Sequence, residues 1–160
     1  MTREERSRLI ATYMEGYQRV ADALKDITPE ELDFKISPEK WSCREVVHHL
    51  ADSETISGHR LRRLLVEFNP YIQAYDQDEY ARRFHYAGRP WAPALDAFRS
   101  ARETTAQLFE FMTDEDWQRA GEHSEIGPYS AETWLKTYAA HAHGHADQIL
   151  RNRKAYKERA

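Results

Sequence analysis

A chain of 160 residues is long enough for one domain with a full core and too short for two ordinary ones, so residues 1–160 are expected to form a single domain. Its 23 basic and 27 acidic residues are interspersed, for a net charge of −4, which supplies no basic face and gives no suggestion of nucleic-acid binding. No run approaches 18 apolar residues, the charged start Met1-Thr-Arg-Glu-Glu-Arg6 lacks a signal peptide's apolar region, and the one cysteine, Cys43, excludes an internal disulfide. A cytoplasmic protein without membrane association is the expectation.

Thr2 with Glu5 has the capping-box pattern, and Leu9, Ile10, Tyr13, Tyr17, Val20, Ala21 and Leu24 follow at helical spacing, predicting a first long helix over 3–25. Thr28-Pro29-Glu30-Glu31 repeats the start signal, but Ile36-Ser-Pro38 limits it to one turn and a loop. Ser42 with Glu45 opens a second long helix, 42–68, which Asn69-Pro70 stops; Trp41 before it is placed to staple onto Val46. Cys43 reads as an ordinary first-turn residue, although a helix N-terminus can lower a thiol's pKa.

The apolar stripe of this second helix is Val46, Val47, Leu50, Ala51, Leu61, Leu64 and Leu65. Against it His49 lies at the inner edge, in line with Ser53, Ser57 and Arg60, whereas His48 falls on the outer face with Asp52 one turn on to pair with it. A buried Arg60 needs an anionic partner or ligand; the alternative is a stem packed on the core with its head in solvent.

Tyr71 to Pro90 has no long period and reads as a connection with a short helix around Asp78 to Arg83. A third long helix, 91–112, follows from Ala94, Leu95, Phe98, Ala101, Thr105, Leu108, Phe109 and Met112. Thr113-Asp-Glu-Asp116 starts a short helical turn, and Gly121 to Pro128 reads as a turn-rich loop. His85 and His123 fall in loops and are expected to be solvated. Ser130 caps a fourth long helix to about residue 152, with Arg151-Asn-Arg-Lys154 as a basic last turn. No strand alternation is visible. The fold class is therefore all-α, a four-helix bundle with one or more long crossover connections and the 113–129 segment over one end.

The fourth helix carries the chemistry. Trp134, Leu135, Tyr138, Ala139, Ala142, Ala146, Ile149 and Leu150 make its apolar stripe; His145 lies in the stripe, His141 at its edge, and His143 roughly 160–200° from both. Two imidazoles four residues apart can converge on one metal ion, although the same spacing also arises by chance in half-buried, hydrogen-bonded pairs. With His49 they supply three neutral nitrogens from two helices, the ligand count of an open catalytic site, provided that the second and fourth long helices are neighbours.

Trp41-Ser-Cys-Arg-Glu-Val-Val-His-His49-Leu-Ala-Asp-Ser53, Arg60, Asn69-Pro-Tyr-Ile-Gln-Ala-Tyr75-Asp76, His123-Ser-Glu-Ile-Gly127 and Tyr138-Ala-Ala-His141-Ala-His-Gly-His145, in that order, resemble the DinB/YfiT-like superfamily. The match is closest to its YfiT branch, described as metal-dependent hydrolases and including bacillithiol S-transferases. The resemblance implies that His49, His141 and His145 bind a divalent metal, commonly nickel or zinc. Relatives often carry a further His near the end of the last helix, where this chain has Gly144, Asp147 and Gln148.

Three functions are open on these residues. In a transferase, a metal-bound low-molecular-weight thiol of bacillithiol type attacks an electrophilic substrate. In a hydrolase, the ion activates water and a carboxylate such as Asp76 or Asp147 takes the proton. The third is a non-catalytic metal or small-molecule binding module. A pocket with cationic and aromatic groups favours the first, for which Arg60, Tyr75 and Asp76 are the candidate catalytic and rim residues; a homodimer is compatible with all three.

Overall fold

The computed structural model describes residues 1–159. Four long helices dominate it: α1 (Arg3–Leu24), α3 (Cys43–Val66), α5 (Ala92–Ala106) and α7 (Ala131–Glu158), with short helices α2 (Pro29–Asp33), α4 (Gln77–Arg83) and α6 (Asp114–Gln118) between them. Capping boxes form at Thr2, Thr28, Ser42 and Thr113, and Ser130 accepts a hydrogen bond from the Thr133 backbone N–H. Each satisfies N–H groups that the first helical turn leaves without partners.

Helix α1 packs against α5 and α7, and α3 packs against the same two, so the order around the bundle is α1–α5–α3–α7. The steps from α1 to α3 and from α5 to α7 therefore cross the bundle diagonally, which makes residues 25–42 and 107–130 its two long crossovers.

A polar knot ties all four corners together. Arg102 on α5 donates from Nη1 to Glu54 of α3 at 2.6 Å, from Nε to the Tyr13 carbonyl of α1 at 2.8 Å, and from Nη2 to the Tyr138 carbonyl of α7 at 2.9 Å. Tyr13 donates its hydroxyl to the other Glu54 oxygen. Arg102, Glu54 and Tyr13 are buried, and the ion pair is tolerated there because every guanidinium nitrogen and both carboxylate oxygens find a partner. Gly16 makes the approach feasible: a Cβ there would meet Arg102 Nη2 at 2.6 Å. The knot separates two apolar clusters, one around Val20, Val46, Leu50, Phe98 and Ile149, the other around Leu61, Ile72, Trp117, Trp134 and Leu135.

Three boundaries differ from the sequence reading. The 121–128 segment is a hairpin rather than a loop: β2 (Ala120–His123) pairs antiparallel with β3 (Gly127–Ser130) and parallel with β1 (Tyr71–Ile72). Its buried positions are Gly121 and His123, so an alternation without apolar side chains was invisible as a strand. Gly121 is obligatory, since a Cβ would lie 2.1 Å from the Pro70 carbonyl oxygen. The third long helix ends at Ala106 and tightens into a 3₁₀ turn over Gln107–Glu110. The fourth continues to Glu158, because Asn152 donates to the Trp41 carbonyl and Arg153 to Glu31 and the Ala23 and Lys25 carbonyls. No helix among the described residues is long and apolar enough to cross a membrane.

Candidate metal centre

Because α3 and α7 are in contact, the inner edge of one faces the inner edge of the other. His141 Nε2 lies 3.2 Å from His49 Nε2 and 3.2 Å from His145 Nε2, and the three residues form the one cluster of metal-ligating side chains found among the described residues. Two nitrogens bound to one ion at about 2.0–2.1 Å with a near-tetrahedral angle stand roughly 3.2–3.4 Å apart, so the spacing fits a shared divalent cation. Three imidazole nitrogens pointing at one place, without donors for all of them, otherwise repel.

Electrostatics keep the three imidazoles in the form that could bind a cation. Burial holds the His49 imidazolium pKa down to about 3 and that of His141 to about 2, with the neighbouring histidines adding to the depression, and it lowers His145 as well. All three are therefore neutral near pH 7 and present lone pairs. His145 Nδ1 lies 2.8 Å from Gln148 Oε1, a contact that places the ring proton on Nδ1 and the lone pair on Nε2, toward the centre. Trp41 packs on His49 with ring centroids 4.8 Å apart, and Tyr138 on His141 at 5.7 Å. His49 is buried and the other two half-buried, which leaves one side of the cluster accessible.

Two of the other histidines, His143 and His48, are used elsewhere. His143 Nε2 lies 2.9 Å from the Thr12 carbonyl, pinning α7 to α1. His48 is buried and not on an outer face: its ring stacks on Tyr86 at 5.4 Å and its Nε2 faces the Arg89 carbonyl at 3.3 Å. The segment after α4 folds back over that side of α3, and Asp52, expected to pair with His48, instead accepts the Tyr86 hydroxyl. His85 is exposed, as expected, but His123 is 8% exposed on β2, because the hairpin folds it inward.

Arg60 is 9% exposed, which rules out a head in solvent. Its guanidinium donates to the Gln73 carbonyl at 2.6 Å and the Tyr138 hydroxyl at 3.4 Å and lies 5.8 Å from the Tyr75 ring centroid; among the described residues it has no carboxylate partner. Burial raises the Tyr75 and Tyr138 phenols above their ordinary range, so both are neutral hydroxyls. Tyr75 thus stands beside Arg60. Asp76 does not: it is exposed and caps α4, accepting from the Asp78 and Glu79 N–H groups. Asp147 is exposed too. Cys43 is buried, its thiol pushed up to about 11, and takes no part. A groove of about 530 Å³ between α1 and α5 is lined by Ile10, Met14, Tyr17 and Arg102 among others and shares no residue with the histidine cluster.

The DinB superfamily profile matches residues 13–149. A protein of Oceanobacillus iheyensis named as a candidate metal-dependent hydrolase is 31% identical over 124 residues, covering 78% of this chain and 72% of its own. One of Bacillus cereus strain 03BB102, named in the same way, is 29% identical over 132 residues, covering 82% and 76%. The solved structure of YfiT from Bacillus subtilis, described as an unusual four-helix bundle, superposes with a TM-score of 0.91 at 24% identity over 98% of this chain and 90% of that one. With the fold, the span of the profile and the relatives in agreement, the chain belongs to the DinB superfamily.

Proposed function

We propose that the protein holds zinc or nickel on His49, His141 and His145 and transfers a low-molecular-weight thiol of bacillithiol type to an electrophilic substrate. The observation that carries this reading is the donor set: three neutral imidazoles to which, among the described residues, no carboxylate is joined. A divalent ion bound by such a set keeps its full positive charge and can hold a thiol as thiolate below the free value of about 8.5, and zinc and nickel accept sulfur where magnesium and calcium do not. The protein's own groups prepare the site. Burial keeps the imidazoles deprotonated, Gln148 fixes the tautomer of His145, and Trp41 and Tyr138 wall the cluster on two sides. Arg60 offers a buried positive charge beside Tyr138 and Tyr75, suited to an anionic thiol. In the transfer, sulfur forms a bond to the electrophilic carbon, the leaving group departs with its electron pair, and the thiol proton goes to solvent.

A second reading, hydrolysis, is favoured by the names of the relatives. It needs a group to take a proton from water, and the two candidate carboxylates serve poorly: Asp76 is committed as a helix cap, and Asp147 is exposed and apart from the cluster. The test is thiol consumption by metal-loaded protein with a monochlorobimane-type electrophile. Metal-dependent loss of thiol, abolished in His141→Ala and weakened in Arg60→Ala, is the expected result. Cleavage of an ester or amide with no thiol present would replace transfer by hydrolysis.

A further inference from the structure

The aromatic pairs Tyr17–Phe98 and Tyr13–Phe109, with ring centroids 6.1 Å and 5.3 Å apart, fill the inner side of the seam where α1 runs antiparallel to α5 and the turn after it. On the outer side the seam opens into the groove of about 530 Å³, well away from His49, His141 and His145 in its lining. Its α1 wall is Ile10, Met14 and Tyr17, which helical spacing sets in one row, and Ala106 and Phe109 face them. Met14 is 63% exposed there, and Phe111, just past the facing wall, is 80% exposed. Large apolar side chains left in water beside an apolar groove mark a surface for association, and methionine adapts to the shape it meets.

The uncompensated charge on this groove has one sign. Glu103 and Glu110 stand on its α5 side, exposed, and neither has an ion-pair partner among the described residues. The neighbouring arginines are engaged, Arg102 with Glu54 and Arg99 with Asp96. Three α-helical and four 3₁₀ steps separate the two glutamates, about 10–13 Å along the axis. Two basic residues seven apart on a straight helix stand about 10.5 Å apart, which matches that spacing. A second copy of the chain offers no such face: among the described residues its long helices expose only single large apolar side chains, Met14 on α1, Val66 on α3 and Leu150 on α7.

We infer that the groove docks an amphipathic helix of another protein. Apolar side chains at i, i+3, i+4 and i+7 of that helix fill it over Met14 and Phe109, and Lys or Arg residues seven apart meet Glu103 and Glu110. Apolar burial supplies the affinity, while the two carboxylates set the register and turn away acidic helices. The inference stands apart from the metal and from thiol transfer.

The probe is a fluorescein-labelled 15-residue peptide of Leu, Ala and Lys, with Leu at i, i+3, i+4 and i+7 and Lys flanking that stripe seven residues apart. Its binding to the full chain is read by fluorescence anisotropy beside two companions, a shuffled peptide of the same composition and one with Glu in place of Lys. The striped Lys peptide is expected to bind at least about tenfold more tightly than either. Glu103→Lys combined with Glu110→Lys should invert the order, so that the Glu peptide binds better, and Met14→Asp should weaken the Lys peptide about tenfold. All three side chains are exposed, so the melting temperatures should stay at the wild-type value. Should the double charge reversal fail to fold, Glu103→Gln with Glu110→Gln decides: the Lys peptide must lose its advantage over the Glu peptide. No binding of the striped peptide, equal binding of the shuffled one, or an order that survives the charge reversal would overturn the inference. So would a dimer in sedimentation velocity that Met14→Asp splits, since the groove would then belong to a second copy.

Discussion

Replacing Gln148 by Leu removes the only acceptor among the described residues for the His145 Nδ1 proton while leaving the three candidate ligands, His49, His141 and His145, in place. The Nδ1···Oε1 distance of 2.8 Å marks a well-formed hydrogen bond, and its loss frees the ring to rotate and to adopt the tautomer with the proton on Nε2, which cannot bind an ion. Removing such an outer partner typically costs 10–100-fold in metal affinity, about 1.4–2.8 kcal/mol. Gln148→Glu should act in the opposite direction, because a carboxylate acceptor makes a charge-assisted bond roughly twice as strong and raises the basicity of the ligand. Zinc affinity, measured by competition with a chelating dye at one pH, should therefore rank Glu above Gln above Leu. Gln148 is half-buried, so the apo melting temperatures of the three should stay close. If Gln148→Leu binds zinc within twofold of the wild type, the contact does not orient His145 and the account of the tautomer is wrong.

Arg102→Met should destabilise the fold by about 3–5 kcal/mol in chemical denaturation, because it strands the buried Glu54 carboxylate; a loss under about 1 kcal/mol would show that the knot is not what joins the four helices. Gly16→Ala should cost about 1–3 kcal/mol by the same measurement, since the new methyl meets Arg102 Nη2 at 2.6 Å and the Ala142 Cβ at 2.8 Å. Apo protein should lose stability between pH 7 and 5.5. In that window unfolded histidines, with pKa about 6.5, take up protons that His49 and His141, held to about 3 and about 2, refuse, and the lowered His145 acts in the same direction. More protons on the unfolded state means stability that falls as pH falls, by about 2–3 kcal/mol for His49 and His141 together, partly opposed by Glu54, whose pKa burial raises. A flat profile over this range would indicate imidazoles that are solvated in the folded state.

What the sequence disclosed depended on which residues carried a period. The four long helices were legible because Val46, Leu50, Leu61 and Leu64, and likewise Trp134, Tyr138, Ala142 and Ile149, repeat at helical spacing behind explicit caps. The same wheels put His49, His141 and His145 on inner edges and set His143 apart, and the contact between α3 and α7 then brought the three together. His48 was misplaced because a wheel shows only a helix's own stripe; the chain that returns over it, with Tyr86 and Arg89, comes from 38 and more residues on. His123 was missed for a related reason, as its burial is created by pairing with β1, 51 residues earlier, in a strand whose other inward position is a glycine. Gln148 stood out in the sequence only as a departure from relatives, and its contact with His145 needs the side-chain rotamers to be seen.

The most direct measurement of the central claim is the zinc content, by elemental analysis, of wild-type protein and five single histidine-to-alanine variants loaded identically and freed of excess metal. The account predicts one equivalent in the wild type, His48→Ala and His143→Ala, whose rings bond carbonyls elsewhere, and none retained in His49→Ala, His141→Ala or His145→Ala. Equal losses in His143→Ala and His145→Ala, or full retention in His49→Ala, would contradict it.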